Sequence, residues 1–99
     1  MSEQAHEIIV VVFRPEIGLV EQKEVMKRIG AISATTDGFV SRQTFYTEVD
    51  KRWIDYIIWR DLAAADASIE NAKTFPKAAT LFAKIDRAKS VWSRYTQVE

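Results

Sequence analysis

The sequence has no cysteine, one histidine, three glycines and two prolines in 99 residues. Without cysteine there is no disulfide, no thiolate nucleophile, no thiolate zinc site and no cysteine-held iron–sulfur cluster. A lone histidine, His6, builds no metal site without carboxylate help and completes no visible catalytic triad. An excess of either charge is missing too, since 14 Lys and Arg residues balance 14 Asp and Glu residues. The basic residues are scattered, whereas a nucleic-acid or anionic-membrane partner calls for a basic excess or cluster. Neither partner is expected. The longest apolar run is Ile8–Phe13, far short of the roughly 20 residues that span a membrane. The stretch before it, Met1–Glu7, is polar and lacks the basic and apolar regions of a secretory signal. A cytoplasmic location is expected. No phosphate loop, dinucleotide fingerprint or nucleophile elbow occurs, so no metal or cofactor is expected either.

What the chain has is apolar mass. Hydrophobic residues make up 47% and aromatic residues 11%, which suits a packed core rather than disorder. The length suits one domain covering residues 1–99.

Ile8–Phe13 is β-branched and aromatic throughout and reads as a strand buried on both faces. Pro15 ends it. Glu16–Ile32 reads as a helix, with Val20, Val25, Ile29 and Ile32 spaced near the helical period and Glu24 and Arg28 one turn apart. Gly30 predicts fraying or a cap near its end. Thr36-Asp37-Gly38 is a turn. Phe39–Glu48 and Trp53–Trp59 read as a hairpin joined by polar Val49-Asp50-Lys51-Arg52. Asp61 predicts an N-cap for a helix from about Leu62, which Phe75-Pro76 should break. A further helix is predicted over Lys77–Ala88, and a last strand over Val91–Val98. The order β-α-β-β-α-β predicts an α+β, ferredoxin-like sandwich, with a four-stranded antiparallel sheet and helices on one face.

The first and third strands are apolar on both parities. Ile8, Val10 and Val12 alternate with Ile9, Val11 and Phe13, and Ile54, Tyr56 and Ile58 alternate with Trp53, Ile57 and Trp59. The helix-free face would thus expose a large apolar patch, uncommon on a monomer. A homodimer packed sheet face to sheet face is the expected remedy.

Three segments taken together carry a resemblance. They are Asp37-Gly38-Phe39-Val40-Ser41-Arg42, the strand Trp53–Trp59 running into Arg60-Asp61-Leu62, and Pro76–Asp86. They resemble the antibiotic-biosynthesis-monooxygenase-like branch of the dimeric α+β barrel superfamily, over about Ile8 to Tyr95. The resemblance implies a homodimer with pockets between each sheet and its own helices. It implies either a cofactor-independent monooxygenase of a small aromatic or phenolic compound, or a non-catalytic dimer that binds a small hydrophobic metabolite or serves in stress. The heme-degrading branch uses an Asn on the first strand, with Trp and His in the second helical region. This chain has no Asn in Ile8–Phe13 and neither Trp nor His in Leu62–Ala88, which argues against that activity.

The candidate chemistry is sparse. Asp55 lies inside an aromatic strand, where a carboxylate is expensive to bury unless paired. It is either a base of raised pKa, able to take a phenolic proton, or the structural partner of Arg42 or Arg94. Tyr56 and Tyr95 are the hydroxyl groups set beside it as catalytic candidates. Trp59, Phe82, Tyr46 and Arg42 are candidate ligand contacts, with ordinary core packing as the plainer reading of the aromatics. Tyr46, Trp53, Tyr56, Trp59, Trp92 and Tyr95 all sit on predicted strands, and packing in the core or the dimer is the plainer reading of each. His6, at the head of the first strand, is a base or ligand on one reading and a surface residue on the other.

Overall fold

The computed structural model describes residues 3–99, so the first two residues of the polar N-terminal stretch lie outside the described part. The elements are β1 (Ala5–Val11), α1 (Leu19–Ser33), β2 (Phe39–Thr47), β3 (Arg52–Trp59), α2 (Leu62–Lys73), α3 (Ala78–Phe82) and β4 (Val91–Tyr95). The four strands form one sheet in the order β2-β3-β1-β4, antiparallel throughout. This is the ferredoxin-like sandwich expected from the element order. Among the described residues no helix is long and apolar enough to cross a membrane.

The register settles which parity faces the helices. Ala5, Glu7, Ile9 and Val11 of β1 stand opposite Trp59, Ile57, Asp55 and Trp53 of β3. These odd-numbered positions are buried, apart from half-buried Ile9, while Ile8, Val10, Ile54, Tyr56 and Ile58 of the outer face are half-buried. On the edge strands, Arg42 and Tyr46 of β2 and Trp92 and Arg94 of β4 point inward with them.

Local chemistry explains the helix boundaries. Asp61 caps α2 by accepting from the Ala64 amide at 2.8 Å. Thr74 ends α2 just before Phe75-Pro76, as the proline requires. Gly38 turns the chain into β2 with φ +93°, a conformation that disfavours side chains. Gly30, expected to fray or cap α1, instead lies buried inside it. The Arg42 guanidinium occupies the space a Cβ would fill, so glycine lets the helix lie on the arginine.

Several element limits differ from expectation: α1 starts at Leu19 rather than Glu16, and β1 ends at Val11 rather than Phe13. β1 starts at Ala5 rather than Ile8, because Glu7 is a buried strand residue and not a polar boundary. The helix expected over Lys77–Ala88 covers only Ala78–Phe82, since Ile85 leaves it to bridge Phe13 across the core. β4 ends at Tyr95, where its pairing with His6 ends.

Two apolar clusters make the core. One joins Val11, Phe13 and Trp53 to Val25, Met26 and Ile29 of α1 and Leu81 of α3. The other joins Ala5, Ile57 and Trp59 to Ala64 and Ala65 of α2. On β3, Asp55 falls between Trp53 of the first cluster and Ile57 of the second. On β1, Glu7 falls between Ala5 of the second cluster and Ile9, which packs on the first. A polar seam therefore crosses the core.

Candidate functional site

The seam holds two buried carboxylates on central strands, Asp55 at 2% exposure and Glu7 at 4%. Each takes an arginine from the neighbouring edge strand. Arg42 Nε donates to Asp55 Oδ1 at 2.7 Å, and Arg42 Nη2 donates to the Met26 carbonyl of α1 at 2.9 Å. Arg94 Nε donates to Glu7 Oε2 at 3.2 Å, and Arg94 Nη2 donates to the Ala65 carbonyl of α2 at 3.0 Å. Arg94 also pairs with Asp66 and lies over the Trp92 ring, 5.1 Å from its centroid. Glu7 receives two indole N–H groups as well, from Trp59 at 3.3 Å and from Trp92 at 2.7 Å.

Asp55 is the less well served of the two. Only its Oδ1 accepts a hydrogen bond among the described residues. Burial raises its pKa above the usual carboxylate value; Arg42 pulls the other way by charge and hydrogen bond, and Glu7 adds to the rise. A buried carboxylate so placed is a stronger base than one in water.

The residues singled out in the sequence divide between the two faces of the sheet. Asp55 and Arg42 meet in the seam, and Trp59 is fully buried beside it. Tyr46 lies on the same face and packs against Trp53, ring centroids 4.8 Å apart. Phe82 of α3 packs on the first cluster and lines a hollow of about 650 Å³ with Arg14, Pro15, Ile85 and Arg87. Tyr56 and Tyr95 lie on the outer face, so the sheet separates their hydroxyls from the Asp55 carboxylate. Tyr95 also borders a hollow of about 500 Å³ with Asp61, Leu62 and Arg94. His6 is outer too, with Nδ1 2.6 Å from the Tyr56 hydroxyl. Arg94, one of two expected partners for Asp55, serves Glu7 instead.

Glu7 was missed in the sequence. Its one visible signal was parity, an acidic residue two positions before the apolar Ile9. Among the described residues no three metal-ligating side chains converge.

Neither a protein-family model nor a curated protein sequence matches the chain. Solved structures do. A point-mutant form of SnoaB, a cofactor-independent oxygenase from Streptomyces nogalater, superposes with a TM-score of 0.81 at 18% identity, covering 99% of this chain and 96% of that one. A protein from Nitrosomonas europaea, provisionally assigned as an antibiotic biosynthesis monooxygenase, gives a TM-score of 0.73 at 13% identity over 99% and 93% of the two chains. The chain has the fold of the antibiotic-biosynthesis-monooxygenase-like proteins. A conserved protein from Methanosarcina mazei shares this fold as well, with a TM-score of 0.74 at 13% identity over 94% and 91%. At such identities the monooxygenase-like likeness is one of fold, and function has to be argued from side chains.

Proposed function

We propose that the chain is a cofactor-independent monooxygenase of a small phenolic or aromatic compound, working as a homodimer joined through its outer sheet faces. One observation carries the reading: Asp55 is a buried carboxylate of raised basicity with one free oxygen, set on the helix-facing side of an oxygenase-like fold. In this reading the substrate lies in the seam between sheet and helices. Asp55 takes its proton, and the Arg42 guanidinium holds the anion that results. The substrate then gives electrons to dioxygen from an activated ring CH₂. That carbon loses both hydrogens and becomes a carbonyl with one oxygen atom, and the other oxygen leaves as water. Tyr56 and Tyr95, across the sheet, have no part in this step.

The dimer rests on the outer face. It is a four-stranded surface with half-buried Ile8, Val10, Ile54 and Ile58 at its centre and Phe45 at 54% and Val91 at 58% exposure towards its edges. Strands ~4.8 Å apart and ~3.4 Å per residue give a face of about 450–500 Å², somewhat over half of the ~800 Å² per partner of a stable interface.

Oxygen uptake with polycyclic phenols that carry an activated ring CH₂ is the test. Asp55→Asn should lower turnover by about a hundredfold or more while circular dichroism stays unchanged. Unaltered uptake would remove Asp55 as the base.

The closed Arg42–Asp55 pair favours a second reading, a non-catalytic dimer that holds a hydrophobic metabolite. Native mass spectrometry separates the two. A bound metabolite on a species of twice the 11.4 kDa chain mass, without oxygen uptake, supports the binder.

A further inference from the structure

The outer face is nearly free of ionisable groups. Among the described strand residues pointing outward, the basic side chains are His6 and Arg52, and none carries a carboxylate. Arg52 stands at the hairpin end of β3, and His6 at the opposite end of the sheet, paired across to Ile58 and Tyr95. The nearest carboxylate along the strand, Glu7, points through to the seam, where Arg94 neutralises it. Facing His6 on its own side are the Tyr56 hydroxyl, from β3, and Tyr95, from β4.

We propose that His6 makes the sheet-to-sheet dimer sensitive to acid, so that the two chains close on each other when it is neutral and part when it is charged. The inference rests on the dimer reading above. The hydrogen bond to Tyr56 does not decide it. Neutral His6 accepts the tyrosine proton at Nδ1 or donates from it, according to its tautomer, and charged His6 donates to the tyrosine oxygen. What changes is the charge, which histidine alone among ordinary side chains gains between about pH 8 and 5. In whatever register two such faces meet, the partner presents the same surface. Its outward strand side chains offer a charged His6 another histidine, hydroxyls, aliphatic and aromatic groups, and an arginine that already holds Asp50 of the hairpin turn, but no carboxylate of their own. An unpaired charge shut away from water is strongly disfavoured.

Sedimentation equilibrium of the full chain at pH 8 and pH 5, at constant ionic strength, tests this, with circular dichroism at both to confirm folding. The dimer Kd of the wild type should rise by at least about tenfold in acid, one decade per pKa unit of coupling. His6→Gln and His6→Asn should keep one Kd at both. Equal wild-type values at pH 8 and 5 would overturn the inference, as would the same weakening in both variants, which would move the effect to another group. A monomer already at pH 8 would defeat the dimer reading itself, and this inference with it.

Discussion

The two halves of the molecule, β1-α1-β2 and β3-α2-β4, pose the same problem and solve it unequally. Each contributes a buried carboxylate from its central strand and an arginine from its edge strand. The pairs are exchanged between halves, Asp55 of β3 with Arg42 of β2 and Glu7 of β1 with Arg94 of β4. Each arginine then ties its carboxylate to a helix carbonyl, Met26 of α1 or Ala65 of α2. Among the described residues Glu7 has three donors across its two oxygens, whereas Asp55 has one. A carboxylate meant only to hold a fold together is best fully hydrogen-bonded, as Glu7 is. One left with a free oxygen and a raised pKa keeps the capacity for proton transfer, at some expense in stability.

That contrast can be broken by removing each arginine. Arg42→Leu should cost about 3–5 kcal/mol, because it leaves Asp55 buried without its one donor among the described residues. The loss should shrink in acid as Asp55 becomes neutral. Arg94→Leu should cost less, about 1–3 kcal/mol, because Glu7 keeps both indole donors. Urea denaturation of the two variants at neutral pH measures the difference. Equal losses would mean that the two carboxylates are equivalent and that Asp55 is structural as well. The smallest effect sharpens the comparison through pH. A carboxylate whose pKa is raised on folding supports the fold below its ordinary titration range and loses that support as pH rises through the folded value. Asp55→Asn removes this dependence. Its stability relative to wild type should therefore improve from acid to neutral pH. A gap that widened against the variant over that range would give Asp55 a lowered pKa and reverse its assignment.

The fold was legible because its signals are local and repeated. The apolar strands, the cap at Asp61 and the break at Phe75-Pro76 each declare an element without reference to the rest of the chain. The site was only half legible. Asp55 stands out in the sequence as a charge among aromatics, with Arg42 and Arg94 as its two candidate partners. Which arginine it meets depends on strand register, which the sequence leaves open where both faces are apolar. The same ambiguity put Tyr56 and Tyr95 beside Asp55 as candidates, although alternate strand residues point to opposite faces. Gly30 was read through backbone propensity alone. Its actual constraint is an arginine from a strand distant in sequence, which no local rule contains.

Glu7 also sets an order of events at the ribosome. Its shortest hydrogen bond comes from Trp92, 85 residues later. At about 5–20 residues per second the gap is roughly 4–17 s. β3 and its Trp59 donor follow Glu7 by 52 residues, so any collapse around Glu7 before β4 arrives would bury a carboxylate that lacks at least two of its three donors among the described residues. The nascent sheet thus has reason to stay open along one edge until β4 arrives and pairs with β1.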